Sequence, residues 1–93
     1  MALVRAFKFD LGRVVATPGA LALLNPADVE SVLQSHASGE WGELCEEDKQ
    51  ENENALVNGN RILSCYHAPL GEKIWVITEW DRSVTTILLP SEY

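Results

Sequence analysis

The chain is predicted to fold as an α+β domain, on three observations. Two proline-led helix starts, Thr17-Pro18 and Asn25-Pro26-Ala27-Asp28, stand in the first third. Apolar residues recur at helical spacing after the second of them. Three short runs rich in β-branched and aromatic residues fill positions 62–89, separated by turn residues. Helices followed by consecutive strands, rather than alternating with them, imply an antiparallel sheet packed on the helices.

The elements follow in order. The opening segment to about Ala16 is β-like, carrying Phe7, Phe9 and Leu11 and then Arg13-Val14-Val15-Ala16, with Gly12 marking a bend. Thr17 caps a short apolar helix that runs through Leu24, with Pro18 in its first turn. Asn25 caps the next helix, where Asp28 meets the positive helix end. Val29, Val32, Leu33 and Ala37 form its apolar stripe, His36 shares that stripe, and Gly39 ends it. Residues 40–43 read as a linker, and a mostly polar helix spans about 44–57 before Asn58-Gly59. Asp48 and Asn52 fall on its inward stripe and therefore need partners, since an unpaired buried polar group costs about 1–3 kcal/mol.

The last third reads as a β-meander with strands at 62–66, 73–78 and 84–89, broken by Pro90. Alternation puts Ile74, Val76, Thr78 and Trp80 on one face and Trp75, Ile77 and Glu79 on the other. Both faces are apolar, so one packs on the helices. The other calls for a cover, either the N-terminal segment or a second subunit, which makes a homodimer one expectation. Tyr66 is placed as a half-buried cross-strand partner of Trp75 or Ile74.

Ninety-three residues with 46% hydrophobic content suit a single domain spanning 1–93. The net charge is −7, and it is unevenly placed. Nine acids between Asp28 and Asn54 face the single Lys49, whereas the rest of the chain carries five acids and six bases. Such a face repels nucleic-acid phosphates and attracts basic protein surfaces. A solvated helix kept soluble by Glu would show the same pattern. Cys45 and Cys65 have neither the spacing of a zinc site nor that of a redox motif, and no cofactor or metal is expected. They read as small apolar residues of a reducing, cytoplasmic protein, with no signal peptide and no membrane span in the sequence.

Two strings carry most of the chemistry. In the first, His36 precedes Glu40, Trp41 and Glu43, so one helix end gathers an imidazole, two carboxylates and an indole. His36 itself reads first as a packed, hydrogen-bonded core histidine. In the second, Thr78-Glu79-Trp80-Asp81-Arg82-Ser83-Val84-Thr85-Thr86, a tight turn gathers two acids, a guanidinium and several hydroxyls beside a Trp. Asp81 and Ser83 suit turn hydrogen bonding, and Glu79 and Arg82 suit a surface ion pair. Arg82 could instead act as an anion clamp, with Thr78, Thr85 and Thr86 as neighbouring donors. Ser64, Tyr66 and His67 also cluster, but they have no orienting acid and make no triad.

Three strings also carry a resemblance: 11–20 (LGRVVATPGA), 39–44 (GEWGEL) and 77–93 (ITEWDRSVTTILLPSEY). With them the chain resembles, from Phe9 onward, a family of small "plasmid-related" proteins carried on bacterial plasmids and integrated mobile elements. Members of that family more usually have Asp in place of Glu40 and Ala in place of Trp80. The resemblance implies a biological setting, an accessory protein of a mobile element, rather than a mechanism. The element order is also similar to that of the RelE/ParE-type toxin fold, although messenger-RNA-cleaving members need a basic face and this chain is acidic.

Two functions therefore compete. One is a non-enzymatic module that binds a basic protein, such as a host defence or nucleic-acid-binding protein, through Glu46, Glu47 and Asp48. Trp41, Glu79, Trp80, Asp81, Arg82, Thr85 and Thr86 are further candidate contacts. The other is a small enzyme acting on a phosphorylated or nucleotide-like substrate. Arg82 would hold the anion, and His36 with Glu40 or Glu43 would move protons.

Overall fold

A computed structural model describes residues 7–93 of the chain. It is α+β: strand β1 (Arg13–Ala16) precedes helices α1 (Pro18–Leu23), α2 (Pro26–Ala37) and α3 (Glu46–Asn58). Strands β2 (Ile62–His67), β3 (Lys73–Thr78) and β4 (Val84–Leu88) follow, and a 3-10 turn closes the chain at Pro90–Glu92. The part of the predicted opening strand before Phe7 lies outside the described residues.

The four strands form one sheet in the order β1-β4-β3-β2. The expected antiparallel meander is present over β2, β3 and β4. The sheet as a whole is mixed, however, because β1 adds to the β4 edge in parallel, pairing Arg13 with Val84 and Ala16 with Ile87. Within the described residues the N-terminal segment thus extends the sheet instead of covering its second face. Residues 7–12 are not strand; Gly12 sits at φ +63° and passes close to the turn that leads into β4. A Cβ there would stand 2.4 Å from the carbonyl oxygens of Arg82 and Ser83, so only glycine permits the close approach. Phe9 then turns in toward Trp41, with ring centroids 6.3 Å apart.

The helix starts form as their caps dictate. The Thr17 hydroxyl accepts from the Ala20 amide, and Asn25 and Asp28 make a reciprocal capping box at 2.8 and 3.1 Å. The third helix begins two residues later than the sequence predicts, at Glu46. Cys45 supplies no side-chain cap, so the acidic first turn meets the helix dipole unaided. Of the two polar residues expected on its inward stripe, Asn52 is buried and Asp48 is exposed.

Two apolar clusters hold the inner face of the sheet. One joins α1 and α2 to the sheet through Ala20, Leu24, Val32, Ile74, Val76 and Ile87. The other joins α3 and the 40–44 linker to β2 through Trp41, Ala55 and Ile62. Residue 42 of that linker lies beside β2: Trp41 O accepts from the Cys65 amide at 3.1 Å, and the Glu43 amide donates to Cys65 O at 2.8 Å. The outer sheet face is covered in part by the C-terminal turn, where the Tyr93 ring meets Trp75 edge-on at 5.7 Å.

Candidate functional site

The residues singled out in the sequence do not gather in one cleft. Inward-facing polar positions of three strands instead meet the end of α2 in a buried chain of hydrogen bonds. His36 is completely buried, as are Ser64, Thr78 and Thr85. Register explains the meeting. Thr78 pairs with Ile62 and Thr85, and Ser64 pairs with Val76, so all three hydroxyls share the buried, helix-side face of the sheet with Ile62 and Val76.

Proton bookkeeping fixes the direction of this chain. The Thr85 hydroxyl donates to Leu11 O at 2.7 Å, so its oxygen accepts from the Thr78 hydroxyl, also at 2.7 Å. Thr78, having donated, accepts from His36 Nε2 at 2.9 Å. His36 Nδ1 is then the bare nitrogen, and it accepts the Ser64 hydroxyl at 2.5 Å. A second proton on the ring would confront a hydroxyl whose hydrogen is already aimed at Nδ1. Burial, with the Arg82 charge in support, holds the His36 pKa down to about 3. The ring is therefore neutral at every physiological pH, walled by Phe9 at 5.2 Å and Trp41 at 6.1 Å.

The carboxylates expected to work with His36 lie elsewhere. Glu40 and Glu43 are exposed, and Glu43 stands 3.6 Å from His67 Nδ1. Trp41 is buried and donates its indole N–H to Glu53 at 2.7 Å. Tyr66 pairs with Ile74 across the strands, as its sequence position implies, and donates its hydroxyl to Glu40 O.

The 78–86 turn also separates. Thr78 and Thr85 go to the core, Thr86 lies half-buried on the outer sheet face, and Trp80 is exposed. Asp81 accepts both the amide and the hydroxyl of Ser83, which holds its carboxyl below the usual range. Glu79 pairs with Arg61 at 3.4 Å rather than with Arg82. Arg82, at φ +60°, turns its guanidinium onto three carbonyls: Asn60 at 2.6 Å, Ala55 at 3.0 Å and Glu79 at 3.1 Å. The charge thereby faces the negative end of α3. The same guanidinium lies 5.6 Å from the centre of the Phe9 ring, so Phe9 packs against both Arg82 and His36. Both groups are spent on the fold.

What remains at the surface is charge and an apolar hollow. Glu46, Glu47, Asp48 and Glu51 are exposed along α3, with Lys49 3.8 Å from Glu46. Among the described residues no group of three or more His, Cys, Asp or Glu is placed to hold a metal ion. No helix of the described residues is long and apolar enough to cross a membrane. On the outer sheet face a cavity of about 260 Å³ opens between Arg61, Leu63, Trp75, Ile77 and Tyr93. Sequence reasoning expected His36 as a hydrogen-bonded core histidine, but it missed the chain of hydroxyls that partners it and this hollow. Polar Ser64, Thr78 and Thr85 at inward strand parity were a legible signal for the first. The second depends on where Tyr93 folds, which no local pattern encodes. Comparison with protein-family models, with curated proteins and with solved structures finds no match to this chain.

Proposed function

We propose that the protein is a non-enzymatic binding module that presents an acidic surface to a basic protein partner. The observation that carries this reading is the division of labour among its polar groups. The imidazole and the guanidinium are locked into structural hydrogen bonds, while the acids of α3 stand in solvent. An exposed single-sign surface steers a partner of opposite charge and repels nucleic acid. Service as an accessory protein of a mobile element is part of the proposal and rests on the resemblance of the strings quoted above. The enzyme reading needs His36 and Arg82 to meet a substrate, and their partners leave that reading without support.

The test is capture of partners from nuclease-treated bacterial lysate by the wild type and by the Glu46→Gln, Glu47→Gln, Asp48→Asn variant. A protein retained by the wild type, released by raised salt and lost with the variant supports the proposal. Equal retention by both would sink it.

A further inference from the structure

The acidic face of α3 and the hollow on the outer sheet face adjoin. The sheet hollow is walled by Leu63, Trp75, Ile77 and Tyr93, with Arg61 at its rim. A second hollow of about 210 Å³ lies on the α3 side, lined by Leu44, Asp48, Glu51 and Asn52. Arg61 and Leu63 line both, so the two are halves of one trough around the β2 edge.

The halves differ in chemistry. The sheet half is apolar because Leu63, Trp75 and Ile77 share the outward parity of β2 and β3, and the C-terminal turn covers only part of that face. The helix half adds two carboxylates to apolar Leu44 and Leu63, and among the described residues neither Asp48 nor Glu51 has an ion-pair partner. Arg61 does not reverse this sign. Its guanidinium is paired with Glu79, donates to the Tyr93 hydroxyl and lies 5.3 Å from the centre of the Tyr93 ring. Asn52 is likewise occupied, with both amide atoms on the Leu63 backbone.

We infer that this trough takes a basic amphipathic peptide segment of a partner protein. An apolar side chain would seat between Trp75, Ile77 and Tyr93, and neighbouring cations would lie against Asp48 and Glu51. The inference rests on the acidic-module reading and adds the place and the chemistry of contact. A purely apolar ligand would leave the two carboxylates uncompensated, and an anionic one would be repelled by them. A basic segment with one large apolar residue satisfies both halves.

Two labelled heptapeptides of equal charge test it by fluorescence anisotropy: Lys-Leu-Lys-Trp-Lys-Leu-Lys and Lys-Ala-Lys-Ala-Lys-Ala-Lys. Burial of one Leu or Trp side chain should tighten binding of the first by about tenfold or more over the second. That preference should come with a shift of the Trp75 indole proton resonance. It should shrink in Tyr93→Ala, whose exposed side chain can be removed without opening the core. The Asp48→Asn, Glu51→Gln variant should weaken both peptides. Equal binding of the two peptides, lost only with Glu46→Gln and Glu47→Gln, would overturn the trough while leaving the acidic module standing. Absence of binding by either peptide would overturn both. Sedimentation of the free protein as a dimer that the first peptide does not dissociate would assign the trough to a second copy and end the proposal.

Discussion

Asn52 and Leu63 form a closed pair: Asn52 Nδ2 donates to Leu63 O at 2.6 Å, and the Leu63 amide donates to Asn52 Oδ1 at 3.2 Å. The amide side chain thus occupies the position of a fifth strand at one residue of β2. Two residues later, Trp41 and Glu43 take the same role at Cys65. An edge that would otherwise invite another chain is closed by the protein's own groups.

Replacement of Asn52 should therefore cost more than its size suggests. Asn52→Ala leaves the Leu63 amide and carbonyl without their partner, and the expected loss is about 1–3 kcal/mol in chemical denaturation. Asn52→Asp keeps an acceptor for the Leu63 amide but sets a carboxylate oxygen against Leu63 O. Protonation of that carboxyl restores a donor, so this variant should recover part of its deficit as pH falls. A deficit independent of pH would contradict the hydrogen-bond account.

Gly42 stands at φ +76°, and a Cβ there would stand 1.9 Å from Cys65 O. No side-chain motion relieves a backbone overlap, so Gly42→Ala must push the 41–43 segment off β2. A loss of about 2 kcal/mol or more is expected, combining left-handed strain with the two hydrogen bonds. Faster hydrogen exchange at the Cys65 amide, with the β3 amides unchanged, would locate the damage.

His36 makes stability depend on pH. Its folded pKa, about 3, lies below the ordinary 6.5. Between those values the unfolded chain binds a proton that the folded protein refuses. Stability is thus full above about 6.5 and falls with decreasing pH by about 1.4 kcal/mol per unit until the folded pKa is reached. Asp81 and Glu92, held low by Ser83 and by Thr17, act in the same direction, but only near and below their ordinary 3.8 and 4.5. The window between pH 5 and 6.5 therefore isolates the histidine. His36→Gln, which offers one acceptor and one donor but does not titrate, should flatten the slope there. Persistence of the wild-type slope in that variant would show that another group carries it.

Arg82 carries two separable effects, a left-handed backbone and a cap on the carbonyls of Ala55, Asn60 and Glu79. Arg82→Gly relieves the first and removes the second. Arg82→Lys keeps the charge but loses the planar fork. If the cap dominates, both variants should lose about 1.5–3 kcal/mol. Stabilisation by Arg82→Gly would show instead that backbone strain outweighs the three hydrogen bonds.

The parts of this fold that are local were legible in the sequence, and the parts that depend on distant pairing were not. Thr17 and Asn25 announced their helices because a cap and its helix lie within four residues of each other. The strand parity of Ile74, Val76 and Thr78 followed from alternation alone. The parallel docking of β1 on β4 joins positions about 70 residues apart, and no local preference distinguishes it from an antiparallel edge. Arg82 illustrates the same limit at the candidate site. Its neighbours in sequence are acids and hydroxyls, which suggest an anion clamp, yet its hydrogen bonds reach Ala55 and Asn60, brought near by tertiary packing.

The acids of α3 permit a last prediction, which separates binding from folding. Glu46, Glu47 and Asp48 occupy the first turn, where each gains about 0.3–1 kcal/mol from the helix dipole at low salt. Against this, Glu47 and Glu51 stand one helical turn apart and repel by about 0.2–0.5 kcal/mol. The dipole should win. The Glu46→Gln, Glu47→Gln, Asp48→Asn variant is therefore expected to be slightly less stable than wild type, by about 1–2 kcal/mol, and the difference should shrink in high salt. Its partner binding should fall far more steeply than its stability. A variant that is more stable than wild type would mean that charge crowding on α3 is tolerated at a cost, as expected of a surface kept acidic for contact rather than for the helix. A loss of binding no larger than the loss of folded protein would remove the argument that these carboxylates touch a partner.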